Sequence, residues 1–459
     1  MGATRPKVVG IVGAAIGGPT LAIQILSHPT LKRAFRPILI DQAPAPGLEN
    51  GKHRAGATVS LFANGLYPLY QLGLRGAIEK YGYEYDALST WRGSLDGSYR
   101  QISRMPNAMW SNDLQTGVRY FERHALQGLL LDKMRELGGQ DVSWGKKATG
   151  YQALGDGKTR IRFADGGVLD VDLLVGADGG YSTVRRFILD QRDLTTAEER
   201  WMPDSMGITC FYGVSEGRKG NHPICDFSDA HGIWLDRGVL STGPLLNGRI
   251  RWDLILPEED ASSPAIQNER ASKPTTESWQ SSIAPSQYPL ASTVEILQRH
   301  SNVSHPYAGN LEALLTSADR IIRSPLRQRV WKPDEIQWGN AVVVGDASRL
   351  MLPTSGQGSG FAVEDATMLA NQLVRYASSP VSGDAELRRA LEEYARSRQS
   401  RSRLMAYTAA TVAKMGMGGS FYWRMIRNMS GWVAPNPLSK DAKRKDPWPM
   451  DGRFDIDID

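Results

Sequence analysis

Residues Lys7-Val8-Val9-Gly10-Ile11-Val12-Gly13-Ala14-Ala15-Ile16-Gly17-Gly18 decide the fold. The apolar run Lys7 to Val12 predicts a buried strand, the glycines a tight turn, and Pro19 to Leu26 the helix that follows. Pro19 suits a first helical turn, where its missing N–H has no intrahelical partner to lose. The next apolar run, Pro37-Ile38-Leu39-Ile40, ends on Asp41. Strand, G-x-G-x-x-G turn, helix, strand and acid together form a dinucleotide fingerprint. Gly13 permits the turn, the middle position lets backbone approach a pyrophosphate, and Gly18 lets helix and strand pack closely. The middle glycine is replaced by Ala15, so the loop must stand slightly further from its ligand. Asp41 has the spacing of an acid that holds a ribose hydroxyl.

Two more blocks repeat the strand-then-turn pattern. Leu169 to Gly176 reads as a strand ending at Ala177-Asp178-Gly179-Gly180-Tyr181-Ser182-Thr183-Val184-Arg185. Ala341 to Val344 reads as a buried strand that meets Gly345-Asp346-Ala347-Ser348-Arg349-Leu350-Met351-Leu352-Pro353-Thr354-Ser355-Gly356-Gln357-Gly358-Ser359-Gly360 and then a helix. Such a turn presents backbone N–H groups to an anionic or dipolar ligand.

With these three blocks in this order, the chain resembles the class A FAD-dependent aromatic monooxygenases, the para-hydroxybenzoate hydroxylase-like group, from about residue 7 to 415. The resemblance implies FAD as bound cofactor, NADPH as co-substrate, and transfer of oxygen from a flavin C4a-hydroperoxide to an electron-rich carbon. It assigns ADP to the first block around Gly13, Ala15, Gly18 and Asp41, and both FAD and NADPH contacts to the Asp178-Gly179 motif. Asp346 would bind the ribitol, with capping of the next turn as a compatible role. Pro353 would pack beside the reactive edge of the flavin, and Gly356, Gln357, Gly358 and Ser359 would supply backbone to its pyrimidine side. Arg123, three residues before Leu126, matches a phosphate-binding Arg-x-x-Leu pattern; an ion pair with Glu122 or Asp132 is the alternative. Arg54 and Gly56 match a glycine-rich strand against the flavin. Where relatives commonly carry histidine this chain has Arg349. The layout is similar to that of fungal natural-product enzymes, including indole-alkaloid oxidases, which implies C2–C3 epoxidation leading to an oxindole. Hydroxylation of a phenol or polyketide ring is the second reading, and a flavoprotein that is no monooxygenase the third.

The expected fold is α/β: a Rossmann-like FAD domain, a second antiparallel-sheet substrate domain, and C-terminal helices. The FAD part takes residues 1–75, 105–189 and 326–376; the substrate part 76–104 and 190–325; helices 377–433; and an irregular tail 434–459. Helices are predicted over Asn64 to Leu74 and Arg119 to Leu137, a hairpin over Arg160 to Val175, and a polar surface loop, a candidate lid, over Glu258 to Leu290. Arg192 follows the Asp-Gly helix and is the candidate catalytic donor to a substrate oxygen, with pairing to Asp190 or Asp193 as the alternative. Tyr212 and Trp234 lie on predicted sheet strands and are candidates for an aromatic substrate's contacts, with core burial as the alternative.

Composition agrees with an ordinary globular protein: 459 residues, 41% hydrophobic, 22% charged, and 54 basic against 49 acidic side chains. No basic block interleaved with aromatics suggests nucleic acid, and two cysteines are too few for a disulfide framework or the usual metal cluster. Leu404 to Trp432 is interrupted by Lys414, Arg424 and Arg427, so a soluble, cytoplasmic enzyme without a membrane span is expected. No Trp-x-Trp-x-Ile-Pro segment suggests a halogenase, and no second glycine fingerprint suggests a two-dinucleotide reductase.

Overall fold

The computed structural model describes residues 5–45, 58–106, 109–192, 197–216, 228–258, 278–306, 309–381 and 383–433. Its first sheet has five strands in the order Gln337–Trp338, Ala341–Val343, Leu173–Gly176, Lys7–Val12, Phe35–Ile40. All pairs are parallel except the first, an antiparallel edge. Val12 pairs with Gly176 and Gly176 with Val343, so these three strands stop at one level and release their loops on the same side. The backbone continues the tie past the strand ends: Ala177 N donates to Val12 O at 2.7 Å and Val344 N to Gly176 O at 2.9 Å.

Helices Gly17–Ser27 and Gly358–Ser378 pack together on one side of this sheet. A meander of Ala148–Ala153, Thr159–Phe163 and Val168–Val171, with helix Thr183–Asp190, lies against it elsewhere. The predicted continuous strand up to Val175 is broken at Asp172. Its N–H donates to Val8 O at 2.9 Å and its carboxylate accepts from Val8 N at 2.7 Å, which turns the chain from the meander into the parallel sheet.

The helix predicted from Arg119 also starts later. Arg119–Glu122 is a strand paired with Thr58–Leu61, and the helix runs Arg123–Glu136. Phe121 enters the core while Tyr120 on the other side of the strand turns to a cavity, a period of two that overrode the helical pattern. Helix Ala63–Gln71 stops before Leu74 and a new helix opens at Arg75.

The second sheet has eight strands: Arg349–Leu350, Ala318–Val330, Asp204–Glu216, Arg249–Pro257, Val239–Pro244, Ala230–Trp234, Ala87–Gly93 and Tyr99–Pro106. It is mixed rather than wholly antiparallel, because Ala230–Trp234 runs parallel to Leu88–Arg92. Phe211, Leu240, Trp252 and Leu254 bury one face under helices Leu290–His300 and Leu311–Thr316. The opposite face carries Trp234, Ser241, Arg251, Asp253 and Ile255 and remains available to a ligand. Of the expected loop at 258–290, residues 259–277 lie outside the described ones; Ser278–Ser282 forms a 3₁₀ turn.

Helix Asp384–Met417, 34 residues long, is followed by Phe421–Val433. The tail expected at 434–459 lies outside the described residues. No helix among the described residues is long and apolar enough to cross a membrane.

Asp172→Ala removes the acceptor of Val8 N and is expected to cost about 1–3 kcal/mol. A chemical unfolding curve checks this; an unchanged midpoint would show that the Asp172 contact carries nothing.

Candidate active site

The loops released by the three parallel strands enclose a cavity of about 510 Å³. Val12, Gly13, Ala15 and Gly17 line it from the first loop, Ala177 to Gly179 from the second, and Val344 to Asp346 from the third. Gly13 has φ +108°, and a Cβ there would overlap Ala177 O, so the first and second loops touch without room for a side chain. At Gly18 a Cβ would overlap Gly13 O, which is the close packing that the fingerprint requires. The amino ends of helices Gly17–Ser27 and Gly358–Ser378 both open onto this cavity, and unpaired N–H groups there favour an anion.

Asp41 lines the same cavity and also braces it. Its carboxylate accepts from Ala14 N and from Ala43 N, each at 2.8 Å. Asp178 Oδ2 accepts from Thr183 N at 2.7 Å and Thr183 Oγ1 at 3.0 Å, capping helix Thr183–Asp190. Its buried Oδ1 has no partner among the described residues. Arg123 lines the cavity without an ion pair among those residues, since Glu122 pairs with Arg249 and Asp132 with Arg135. Arg54 and Gly56 lie outside the described residues.

A second cavity, about 770 Å³, adjoins the first: Val59, Asp346, Gly358 and Ser359 line both. Pro353, Gly356 and neighbouring residues form part of its wall, and sheet residues including Trp234, Ser241, Arg251 and Asp253 another. Val412, Met415 and Met417 of the long C-terminal helix add a third. Thr354 Oγ1 donates to Ala409 O at 2.7 Å and Ser60 Oγ to Gly356 O at 2.7 Å, which fixes the Pro353–Gly356 turn from two directions.

Asp346 opens to both cavities and accepts no hydrogen bond from the described residues, so the capping role is not taken up. Desolvation by the surrounding protein pushes its carboxyl up to about 6 against the pull of Arg349.

Behind these loops sits a cluster of buried charges. Asp365 accepts from Gly345 N at 2.8 Å, from Arg349 at 2.6 Å and from Arg398 at 2.7 Å. Glu364 takes Arg398 at 2.6 Å, Arg401 at 2.5 Å and the Asn64 amide at 2.9 Å. Burial alone would raise the Glu364 carboxyl, but Arg398 and Arg401 outweigh it and hold it at about 2. Arg349 lies over the Phe361 ring, 4.4 Å from its centroid, and serves this cluster.

Arg192 does not reach either cavity. It is exposed beyond the end of helix Thr183–Asp190 and donates to Gln337 O at 3.1 Å, at the sheet's edge strand. The expected crossing into the substrate sheet happens further on, through helix Ala197–Trp201. Tyr212 shares a face with Asp253 but sits one strand beyond it, packed with Ile208, Cys210 and Leu352. Trp234 does line the larger cavity.

Sequence reading missed Arg185, which ties two of the loops together. The buried guanidinium donates to Ala347 O at 2.7 Å and to Gly180 O at 2.8 Å, and stacks 3.5 Å from the Trp331 ring. Burial lowers it to about 9. The polar set Tyr85, Tyr120, Arg251 and Asp253 was missed too, because nothing local marks a cluster gathered from two strands and a loop far apart in sequence.

A family profile described as an FAD binding domain matches residues 308–409. The chain is 29% identical over 414 residues to the aurachin C monooxygenase/isomerase of Stigmatella aurantiaca, covering 88% of each. It is 26% identical to the FAD-dependent monooxygenase paxM of Penicillium paxilli, covering 81% of this chain and 70% of that one. The chain is an FAD-dependent monooxygenase of the aromatic-hydroxylase type, similar to the class A enzymes. Klebsiella pneumoniae HpxO complexed with FAD and uric acid shares the monooxygenase's fold, with a TM-score of 0.69 at 18% identity over 93% of this chain and 92% of that one.

The monooxygenase's residues fit FAD. Bare backbone lines the first cavity at Gly13, Gly17 and Gly358, and the buried Oδ1 of Asp178, a residue that lines it too, has no partner among the described residues. Buried polar atoms without partners point to a ligand that supplies them.

Gly13→Val is expected to drive the first loop off Ala177 and yield protein that loses FAD on gel filtration, read from its visible absorbance; full retention would contradict this geometry. A pH effect follows from Asp346. Between its ordinary 3.8 and about 6 the folded apoprotein holds a proton that the unfolded chain has released, so stability from this group falls as pH rises through that window. Asp346→Asn apoprotein is expected to gain stability over wild type as pH rises from 3.8 past about 6. Unfolding midpoints across pH check it, and a constant difference would refute it.

Proposed function

We propose that this monooxygenase, acting in the cytoplasm with NADPH and O2, oxidises an electron-rich aromatic natural product, by preference an indole whose C2–C3 bond is epoxidised and then rearranges to an oxindole. The observation that carries the reading is the pair of confluent cavities: a backbone-lined one suited to a dinucleotide, opening into a larger one with aromatic and apolar walls. A monooxygenase/isomerase among its relatives supports oxygen insertion followed by rearrangement. Hydroxylation of a phenol or polyketide ring is the second reading, favoured by the Tyr85, Arg251 and Asp253 side chains in the cavity wall.

Bound FAD would supply the redox chemistry, taking electrons from NADPH and delivering one oxygen atom of O2. On this reading Gly13 and Ala15 hold its pyrophosphate on the turn that Gly18 packs closely, Asp41 a ribose hydroxyl, Arg123 a phosphate, and Asp178 and Asp346 its polar chain, with Arg54 and Gly56 as further contacts. Pro353, Gly356, Gly358 and Ser359 border the flavin ring, and the dipole of helix Gly358–Ser378 favours negative charge beside it. Trp234 contacts the substrate. The proposed division into a discontinuous FAD part and a substrate part at residues 76–104 and 190–325 is supported by most of the sheet membership; Tyr83–Glu84 pairs instead with Arg119 and Tyr120, Arg349–Leu350 joins the second sheet, and Ala318–Val330 and Tyr99–Pro106 run past the boundaries.

The test is NADPH oxidation by the FAD-loaded enzyme under isotopically labelled O2, with indole and phenol substrates side by side. Labelled oxindole is expected. Labelled ring-hydroxylated phenols, with only peroxide released in the presence of indoles, would replace the first reading by the second.

A further inference from the structure

The larger cavity contains an acceptor that the flavin chemistry does not use. Strand register sets Ser241 beside Asp253 and Gly243 beside Arg251. A Cβ at Gly243 would overlap the Tyr85 hydroxyl, so the missing side chain makes room for that phenol. Arg251 Nε donates to Tyr85 Oη at 3.0 Å and Nη1 to Asp253 Oδ2 at 2.6 Å. The guanidinium also lies 4.8 Å from the centre of the Tyr120 ring, which stacks on Tyr85 with centroids 4.0 Å apart. Arg251 is thereby committed on several sides.

Asp253 is not committed in the same way. Oδ2 is held by Arg251, while Oδ1 accepts no hydrogen bond from the described residues and the side chain lines the cavity. Apolar Val239 and Ile255 flank it on the same sheet face, and Tyr85 and Tyr120 stand at its other side. When an apolar ligand displaces water from such a wall, a carboxylate oxygen left without a donor is costly, whereas a ligand N–H or O–H restores the lost bond.

We propose that Asp253, oriented by Arg251, is the specificity-determining acceptor of this cavity and selects aromatic substrates that carry a ring N–H or a phenolic O–H. The proposal rests on the reading of this cavity as the substrate site. Burial raises the Asp253 carboxyl above its ordinary value in spite of Arg251, and a more basic carboxylate is a stronger acceptor.

The test measures dissociation constants from the perturbed flavin absorbance of the full-length, FAD-loaded enzyme. The probes are two matched pairs: 3-methylindole with 1,3-dimethylindole, and 2-naphthol with 2-methoxynaphthalene. Wild type is expected to bind the donor member of at least one pair about tenfold or more tightly than its methylated partner. The pair that discriminates tells a ring N–H from a phenol. Asp253→Leu is expected to reduce that preference to less than about threefold. If the stranded Arg251 prevents folding, Asp253→Leu/Arg251→Met replaces the whole ion pair by apolar groups, an exchange that buried pairs often tolerate. Equal affinities in wild type, no binding of any probe, or full preference kept in the folded variants would overturn the assignment. Failure of the underlying reading is distinct: none of the four probes would then yield an oxygenated product with NADPH, whatever its affinity.

Discussion

Parallel pairing of Lys7–Val12 with Leu173–Gly176, and of Leu174–Gly176 with Ala341–Val343, brings three loops far apart in sequence to one edge of a sheet. Backbone hydrogen bonds then run past the strand ends and lock the loops at contact distance. At that edge there is no space for a side chain on Gly13, and any shift of one loop moves the other two. The cavity for the cofactor is thus a property of register, with side chains adding to a shape that backbone already defines.

Charge buried behind the loops makes the same arrangement rigid. Asp365 holds the N–H of Gly345 while Arg349 and Arg398 neutralise it, and Glu364 ties Asn64 to Arg398 and Arg401. Taking Asp365 away would leave the Arg349 charge without its carboxylate in a dry interior, a penalty well above that of a surface pair. Because Arg398 and Arg401 belong to helix Asp384–Met417, the cluster also fixes the helix whose residues Val412, Met415 and Met417 wall the larger cavity. The loops of the first cavity and the helical wall of the larger one are therefore held by one network. Arg185 adds a second tie by bonding the carbonyls of Gly180 and Ala347.

Sequence showed most clearly what depends on local backbone demands. Gly13, Gly18 and the strands before and after them were legible because a tight turn between a buried strand and a helix has few chemical solutions. Asp178 and Asp346 were legible as members of such turns. Arg119–Glu122 was misread because its alternation was short and ran into a helix, and only pairing with Thr58–Leu61 decides it. Arg192 was misplaced because its position after a helix says nothing of direction; the helix end delivers it to Gln337. Arg251 and Asp253 were invisible for a different reason. On a strand their alternation with Ile250, Trp252 and Leu254 marks one face as polar, but that this face meets a cavity depends on the Pro353–Gly356 turn and the C-terminal helix.

One measurement reaches the centre of this account: the visible spectrum of the freshly purified full-length protein, before and after titration with FAD. The account predicts a yellow protein, or a colourless one that takes up FAD stoichiometrically and shifts the flavin bands on doing so. Protein that is colourless and leaves added FAD free in solution would contradict it.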